Sequence, residues 1–287
     1  MRKLAFFLTA FAVLLLTACS SEEDQPANGV ATISFQVINY EQISLDEVTR
    51  AASVDTLAHL EMGIYNATTR ELIDSVKTTK SDSNYGTFST TLPFGEYIVV
   101  FLGFDGSKAS QLKNLNRIGF ADYYVPNFFY KTINLTVSQS TSGSQNISLA
   151  RAVSAFTIKS EGYIPTNIDS ITIVAKGGGY IFDTEKGLAA AVSRRTIVNN
   201  VSEYAGTESI GITLYTFLPS EEANMDFTVK ASDGNGEEIV SKEFTNVPMK
   251  INQRTIYTGS LFGDGTNTNG FNLTLENDQW DEVNQTY

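Results

Sequence analysis

The sequence predicts an all-β protein built of two β-sandwich domains in tandem. Short runs of alternating apolar and polar residues recur along the chain, and turn residues separate almost every pair of runs. The chain contains 18 Phe and 13 Tyr, which suit a half-buried pleated surface, and 21 Gly, which suit tight turns. With 287 residues, it is long enough for two domains of ordinary size after a leader.

The first 18 residues are predicted to be a secretory signal peptide. Arg2 and Lys3 precede an apolar block at residues 4–16, which is shorter than the ~20 residues that a membrane-spanning helix requires. The block leads into Leu-Thr-Ala-Cys, which looks like a bacterial lipobox. Cys19 is the only cysteine in the chain, so we predict that it becomes the lipidated first residue of the mature protein. An ordinary signal peptide with an incidental cysteine is the alternative.

An acidic tether and a first strand are predicted to follow the signal peptide. Residues 19–29 are polar and acidic and contain proline and glycine, so we expect a flexible segment. Regular alternation begins directly afterwards, at residues 31–37. Ile33, Phe35 and Val37 therefore share one face of the predicted first strand.

Residues 30–150 are predicted to form an N-terminal domain, and the same alternation predicts its other strands. Residues 40–56 lose the pattern and are predicted to form a loop. Residues 109–118 carry apolar side chains at helical spacing, which predicts a short surface helix. The predicted strands occupy residues 60–65, 71–79, 85–92, 97–104, 132–137 and 145–149.

A second series of alternating runs predicts a C-terminal domain, residues 151–287. A weak internal repeat agrees with this division, because Leu-Pro precedes a β run that ends in Asp-Gly at residues 92–106 and again at residues 218–234. Three glycines at residues 177–179 are predicted to bend a strand. The predicted strands occupy residues 156–158, 171–175, 180–182, 196–201, 210–218, 225–231, 237–244, 251–262 and 271–275.

The sequence contains no recognisable catalytic or metal-binding arrangement. A Ser-His-Asp or Cys-His group would have to use His59, the single histidine, while Cys19 is predicted to carry lipid. No His and Cys cluster of the kind that binds zinc is present. The acidic loop at residues 264–269 lacks the ligand spacing of an EF-hand and is predicted to be a plain hairpin loop. We therefore predict that the protein is not an enzyme and holds no metal or cofactor.

The charge of the chain narrows the choice of partners. The formal net charge is −12, and nucleic-acid binding depends on Lys and Arg that neutralise phosphates, so we expect no nucleic-acid partner. The acidity also argues against a basic surface on anionic lipid, which leaves the lipid on Cys19 to hold the protein at a membrane. An aromatic stretch at residues 123–130 offers glycan binding by ring stacking, although burial of these rings is the favoured interpretation.

Five segments, in one order along the mature chain, together resemble a known family. They are residues 19–24 with the lipobox cysteine and its acidic tail, Ile33-Ser34-Phe35, Thr49-Arg50-Ala51, residues 149–156 and residues 252–262. This series resembles the FimB/Mfa2 family of fimbrial anchor and accessory lipoproteins of Bacteroidales. The resemblance implies two tandem transthyretin-like Greek-key β-sandwich domains. It also implies a non-enzymatic role in adhesion, in a fimbrium attached to the outward face of the outer membrane.

The resemblance further implies assembly by strand complementation with other fimbrial subunits. A sandwich that lacks a strand exposes unpaired backbone groups and an apolar groove, and an extended segment of a neighbouring subunit fills both. Ile33, Phe35 and Val37 are the candidate strand-exchange residues. In an anchor, Cys19 keeps its lipid and holds the base of the polymer at the cell.

Proteolytic maturation is the main alternative to an anchor. Polymerising pilins related to this family are cut after an arginine, which removes the lipid and the first strand. Arg50-Ala51 follows the predicted first strand and is the candidate cut site. A chain cut there is a stalk or tip subunit, and an uncut chain, the favoured form, is an anchor. A surface glycan-binding lipoprotein is the third hypothesis.

Overall fold

The computed structural model describes residues 29–42, 50–53, 57–106, 110–263 and 270–277. Almost all of the regular structure in these residues is β-strand, which confirms the predicted all-β class. Two 3₁₀ helices, Ala121–Tyr123 and Ser202–Tyr204, are also present. The strands are β1 (Val30–Gln42), β2 (Arg50–Ser53), β3 (His59–Asn66), β4 (Leu72–Thr79), β5 (Thr87–Pro93), β6 (Gly95–Phe104), β7 (Phe128–Val137), β8 (Ser144–Arg151), β9 (Ser154–Glu161), β10 (Ile168–Lys176), β11 (Phe182–Asp183), β12 (Leu188–Ala189), β13 (Arg195–Asn200), β14 (Ser209–Thr216), β15 (Glu222–Asp233), β16 (Glu238–Lys250), β17 (Gln253–Gly259) and β18 (Asn272–Asn277).

Strands β1 to β8 form one sheet that folds over into two layers. β4, β3, β6 and β7 lie side by side in one layer, and β5, β1 and β8 lie in the other, with β2 paired to the end of β1. The layers join where the ends of β7 and β8 pair at Phe129 and Tyr130. Apolar side chains of both layers fill the space between them, and the largest that are fully buried are Phe35, Phe88, Phe101 and Phe129.

Strands β9, β10 and β13 to β18 form a β-sandwich of two four-stranded sheets. One sheet has the order β13-β10-β15-β16 and the other has the order β14-β9-β17-β18. The sheets pack face to face over a continuous apolar core. At its centre the ring of Phe156, on β9, stacks on the ring of Phe227, on β15, with centroids 3.9 Å apart. β11 and β12 form a separate hairpin.

The two halves of the chain repeat one strand topology. β1 lies antiparallel to β5 and parallel to β8, and β9 lies in the same way between β14 and β17. The opposite layers also correspond, since β4-β3-β6-β7 matches β13-β10-β15-β16 in order. The Leu-Pro and Asp-Gly pairs noted in the sequence lie at equivalent places in the two halves. Leu-Pro precedes β6 in one half and β15 in the other, and Asp-Gly stands where each of these strands ends. The domain boundary between residues 150 and 151 agrees with this repeat and stays a prediction.

Two predictions of local structure are wrong. Arg50–Ser53 forms β2, although the sequence predicts a loop through residues 40–56. The pairing of β1 with β5 stops at Gln36, so the edge of β1 beyond this residue is not covered by β5. β2 pairs with that edge and supplies hydrogen-bond partners for its backbone groups. Residues 110–118, the described part of the predicted helix, follow an irregular path, and their apolar side chains are buried between the halves. Among the described residues, no helix is long and apolar enough to cross a membrane.

The hairpin of β11 and β12, which we call the junction hairpin (residues 178–193), ties the halves together. The backbones of Phe182 and Ile118 exchange two hydrogen bonds, of 2.8 Å and 2.7 Å. The hydroxyl of Thr132, on β7, donates to the carbonyl oxygen of Thr184 over 3.0 Å. The ring of Phe182 lies 5.2 Å from that of Phe128, on β7. Each half thus contributes backbone bonds and aromatic side chains to one shared interface.

Arg195, at the start of β13, is a cation that folding removes from water. Its side chain is buried, and one guanidinium nitrogen donates to the carbonyl oxygen of Tyr215 over 2.7 Å. Within the part of the chain that the structure describes, its Nε has no hydrogen-bond partner and no carboxylate forms an ion pair with it. Burial lowers the pKa of Arg195 from its ordinary value to about 10, so the group is still charged at neutral pH.

We expect Arg195→Met to leave the free energy of unfolding at pH 7 unchanged or to raise it by up to about 2 kcal/mol, because a buried unpaired charge is replaced by an apolar side chain of similar length. The pKa is lower in the folded state, so the desolvation penalty is fully present below about pH 10 and shrinks as the pH rises above that value. The variant therefore has its largest advantage at neutral pH. Urea unfolding measures it, and Arg194→Met, at the exposed neighbouring position, is the control and should stay within about 0.5 kcal/mol. A large loss in Arg195→Met would show that the bond to Tyr215 outweighs desolvation.

Candidate functional site: the first strand and its groove

The candidate strand-exchange residues lie on the buried face of β1. Ile33, Phe35 and Val37 are 1 %, 0 % and 3 % exposed and point into the space between the two layers. The ring of Phe35 meets the ring of Phe101, on β6, edge to face with centroids 5.1 Å apart. It lies in register with Phe88, on β5. The alternation in the sequence therefore identifies the buried face of this strand, and its role in exchange stays a prediction.

A β-bulge reverses the alternation and adds Tyr40 to the buried face. The register with β8 shifts between Val37 and Asn39, which leaves Ile38 41 % exposed. Tyr40 consequently points inward, and its ring lies 4.4 Å from that of Phe129. Sequence reasoning missed this residue because strict alternation ends at Val37. The only indication in the sequence was that Tyr40, an aromatic residue, follows Val37 by three positions.

Both edges of β1 are paired along most of its length. β5 runs antiparallel along residues 30–36, β8 runs parallel along residues 34–41, and β2 runs antiparallel along residues 39–42. On the outer face, the hydroxyls of Thr32 and Thr91 are 2.8 Å apart, which adds a cross-strand side-chain bond. Loss of β1 would thus leave β5 and β8 with unpaired edges and uncover an apolar groove between them.

Arg50 and Ala51, the candidate cut site, lie in β2. Arg50 pairs with Gln42 and Ala51 pairs with Glu41, both on β1. β2 is the last strand at this end of the sheet, so β1 occupies one of its two backbone edges. Cleavage after Arg50 stays a prediction.

Several sequence predictions fall outside the described residues. They include Cys19 and its lipid, the signal peptide of residues 1–18, most of the tether of residues 19–29, and the acidic loop at residues 264–269. Lipidation at Cys19 therefore stays a prediction.

The side chain of His59 contacts a backbone carbonyl and an aromatic ring of its own half of the chain. Its Nε2 lies 2.8 Å from the carbonyl oxygen of Gly106, and its ring stacks on that of Phe104 with centroids 4.9 Å apart. Among the described residues, no group of three His, Cys, Asp or Glu side chains is placed to hold a metal ion. The position of this histidine agrees with the structural role favoured from the sequence.

The aromatic stretch at residues 123–130 is largely buried. Phe128 is fully buried between the halves, where Tyr130 packs against the ring of Phe182 at 4.7 Å, and Phe129 is fully buried between the two layers of the N-terminal half. Tyr123 is instead 62 % exposed, with its ring 4.8 Å from that of Tyr180. The burial agrees with the favoured interpretation of this stretch and leaves Tyr123 as its most accessible ring.

Comparison with solved structures shows which known folds this chain resembles. A candidate adhesin from Bacteroides ovatus ATCC 8483 matches at 13 % identity over 80 % of this chain and 88 % of that chain, with a TM-score of 0.51. A candidate polysaccharide-binding protein from Bacteroides thetaiotaomicron VPI-5482 matches at 11 % identity over 80 % and 92 %, with a TM-score of 0.50. The fimbrial anchor protein Mfa2 from Porphyromonas gingivalis matches at 10 % identity over 80 % and 91 %, with a TM-score of 0.44.

At these identities the likeness establishes the fold. No family model matches the sequence, and no curated protein matches it. The neighbours with TM-scores of 0.51 and 0.50 are a candidate adhesin and a candidate polysaccharide-binding protein of Bacteroides, and their likeness confirms, at the level of fold, the resemblance predicted from the sequence.

Proposed function

We propose that the protein is a non-enzymatic subunit of a surface fimbria, which it anchors or helps to form by β-strand complementation. The observation that carries the proposal is the position of β1, a complete strand inserted between β5 and β8 and joined to the rest of the sheet through the candidate cut site. The likeness to a candidate adhesin of Bacteroides ovatus supports the same conclusion.

β1 has the properties of a replaceable strand. Its main chain pairs on both edges, and these bonds do not depend on the side chains of the strand that makes them. Its buried face is a simple alternation of apolar residues, which an extended segment of another subunit can reproduce. A neighbouring subunit that offers such a segment would fill the same groove and continue the sheet.

The two forms of the proposal differ in whether the chain is cut after Arg50. An uncut chain keeps β1 in its own groove and keeps the lipid predicted on Cys19, so it is an anchor at the outer membrane. A cut chain loses the covalent link to both, so that the strand of a neighbour can displace β1 from the groove, as a stalk or tip subunit requires. The pairing of β2 with β1 along one edge holds the candidate cut site in regular structure, which supports the uncut form.

The experiment is mass spectrometry of the N-terminus of the protein recovered from sheared fimbriae and from membranes of cells that produce it. We expect membrane-bound material that begins at a lipid-modified Cys19, and release into the medium when Cys19 is changed to Ser. Material that begins at Ala51 would replace the anchor by the stalk or tip form. Absence of the chain from every fimbrial fraction would contradict the proposed function.

Glycan binding stays a second prediction and rests on the exposed ring of Tyr123. Retardation on a polysaccharide gel should fall in Tyr123→Ala. It should not fall in Tyr163→Ala, because Tyr163 is equally exposed in the other half of the chain. Equal retardation of both variants and the parent would remove this candidate.

A further inference from the structure

A polar groove, which we call the junction groove, lies where the N-terminal half meets the turn of the junction hairpin. It has two adjoining lobes of about 510 Å³ and 490 Å³. Arg70, in the turn between β3 and β4, and Glu185, in the turn of the hairpin, line both lobes and form an ion pair of 3.1 Å. Each lobe falls within the roughly 300 to 1,000 Å³ of known ligand sites. Two lobes in a row make an elongated site, which suits a chain-like ligand.

Side-chain hydrogen bonds hold both turns that border the junction groove. The side-chain oxygen of Asn66 accepts from the backbone N–H of Thr69 over 2.9 Å. In the hairpin, a carboxylate oxygen of Asp183 accepts from the backbone N–H of Glu185 over 3.0 Å. Arg70 itself has a φ of 63°, in the left-handed region that costs free energy in a residue with a Cβ atom. The groove is thus shaped before a ligand arrives, which lowers the entropic cost of binding.

The junction groove is cationic in a protein that is acidic as a whole. Its charged lining residues carry more positive than negative charge, whereas the whole chain has a net charge of −12. They are Arg70, Lys113, Lys131, Glu71 and Glu185. Arg70 is engaged by Glu185, but within the part of the chain that the structure describes no carboxylate forms an ion pair with Lys113 or Lys131. Lys113 lines one lobe and Lys131 the other, so each lobe offers one exposed ammonium group.

The uncharged lining of the junction groove suits hydroxyl groups. Asn114 lines the first lobe and Asn134 lines the second, and both residues are exposed. An amide group donates and accepts hydrogen bonds at once, so it can bind neighbouring hydroxyls of a sugar ring. Peptides anchor instead through apolar pockets or a strand edge. Here Leu115 and Ile98 are only 2 % and 4 % exposed and Leu72 is half-buried, so most of the apolar surface in the lining is already covered.

We propose that the junction groove binds an acidic oligosaccharide, a chain of sugar units that carry carboxylate groups. Lys113 and Lys131 each pair with a carboxylate in their own lobe, and the asparagine amides bind the hydroxyls between them. The acidic surface elsewhere on the chain repels such a ligand, which confines it to the groove. The inference concerns a surface separate from β1 and from Tyr123, and it does not depend on strand complementation.

Isothermal titration of the full-length protein with an oligosaccharide of galacturonic acid tests the proposal. We expect binding that weakens as the salt concentration rises, because the screening length falls from about 10 Å at 0.1 M to about 3 Å at 1 M. Lys113→Gln and Lys131→Gln should each weaken binding about threefold to fivefold, and the double variant about tenfold to twenty-fivefold. Lys176→Gln removes the same charge from an exposed site that lines neither lobe, so it is the matched control and should leave the affinity unchanged.

Other outcomes would overturn the site or the class of ligand. Absence of binding at low salt would overturn the proposal, and so would an equal loss of affinity in Lys176→Gln. A neutral oligosaccharide of glucose that binds as tightly would rule out an acidic ligand, and polyglutamate that binds as tightly would replace the sugar by an acidic peptide. Loss of binding in Tyr123→Ala, with the lysine variants unaffected, would place glycan binding at that exposed ring instead. None of these outcomes bears on the fimbrial role, which the N-terminus of the recovered protein tests.

Discussion

A chain cut after Arg50 is expected to keep β1 bound until a competing strand displaces it. The buried face of β1 carries Ile33, Phe35 and Val37, and burial of such side chains contributes about 1.5 to 3 kcal/mol each, or roughly 5 to 9 kcal/mol together. Pairing with β5 and β8 adds main-chain hydrogen bonds on both edges. Cleavage alone therefore does not open the groove. Exchange with another strand has to supply comparable contacts.

A specific protease site placed within residues 43–49 makes this measurable. After cleavage, size-exclusion chromatography should show the N-terminal fragment co-eluting with the body of the protein, and a synthetic peptide of residues 30–42 should replace it. Phe35→Ala should weaken retention of the fragment by about 3 to 5 kcal/mol, or roughly 150-fold to 4,000-fold, because it removes a fully buried ring.

Gln36→Ala, on the exposed face of the same strand, is the control and should leave retention nearly unchanged. Immediate loss of the fragment from the parent protein would contradict the account of β1 as a strand held in place by its contacts. Equal retention of the fragment in Phe35→Ala and in the parent would contradict it as well.

Phe182→Ala is expected to lower the free energy of unfolding by about 3 to 5 kcal/mol and to uncouple the two halves. Phe182 is fully buried in the junction hairpin. Its ring lies 5.2 Å from Phe128 of the N-terminal half and 4.9 Å from Phe217 of the C-terminal half. Truncation leaves a cavity at the interface itself, so the contacts that make the halves unfold together are lost first.

Hydrogen exchange measured by mass spectrometry along a denaturant series resolves the halves separately. The parent should show one transition for peptides of both halves, and Phe182→Ala should show two, with a boundary near residues 150 and 151. Tyr123→Ala is the control, because its ring contacts Tyr180 across the same interface but is largely exposed, and its effect should stay below about 1 kcal/mol. A single shared transition in Phe182→Ala would contradict both the coupling role and the predicted domain division.

The candidate site shows which of its parts the sequence could predict. Alternation identified Ile33, Phe35 and Val37 as one buried face, since a strand exposes its side chains to opposite sides with a period of two. Alternation did not predict that Tyr40 is buried, because the bulge that turns Tyr40 inward depends on the pairing of β1 with β8. It also missed β2, whose pairing partner is the edge of β1 that β5 leaves open.

The segment at residues 110–118 shows the limit of periodicity. Leu112, Leu115 and Ile118 have helical spacing, yet each is buried between the halves on an irregular path. Spacing reports only that these side chains need apolar surroundings. The backbone of Ile118 pairs with Phe182, far along the chain, and that contact determines the local path.

The sequence by itself determined the all-β class and the buried face of strands such as β1, whereas the division into two domains and the leader with its single cysteine stay predictions. These properties are local, since they follow from residue type and the period of alternation. Only the tertiary structure decided that β1 lies parallel to β8 and that the junction hairpin joins the halves. Those arrangements depend on which distant strands meet, and side-chain alternation specifies a face without specifying the partner that covers it.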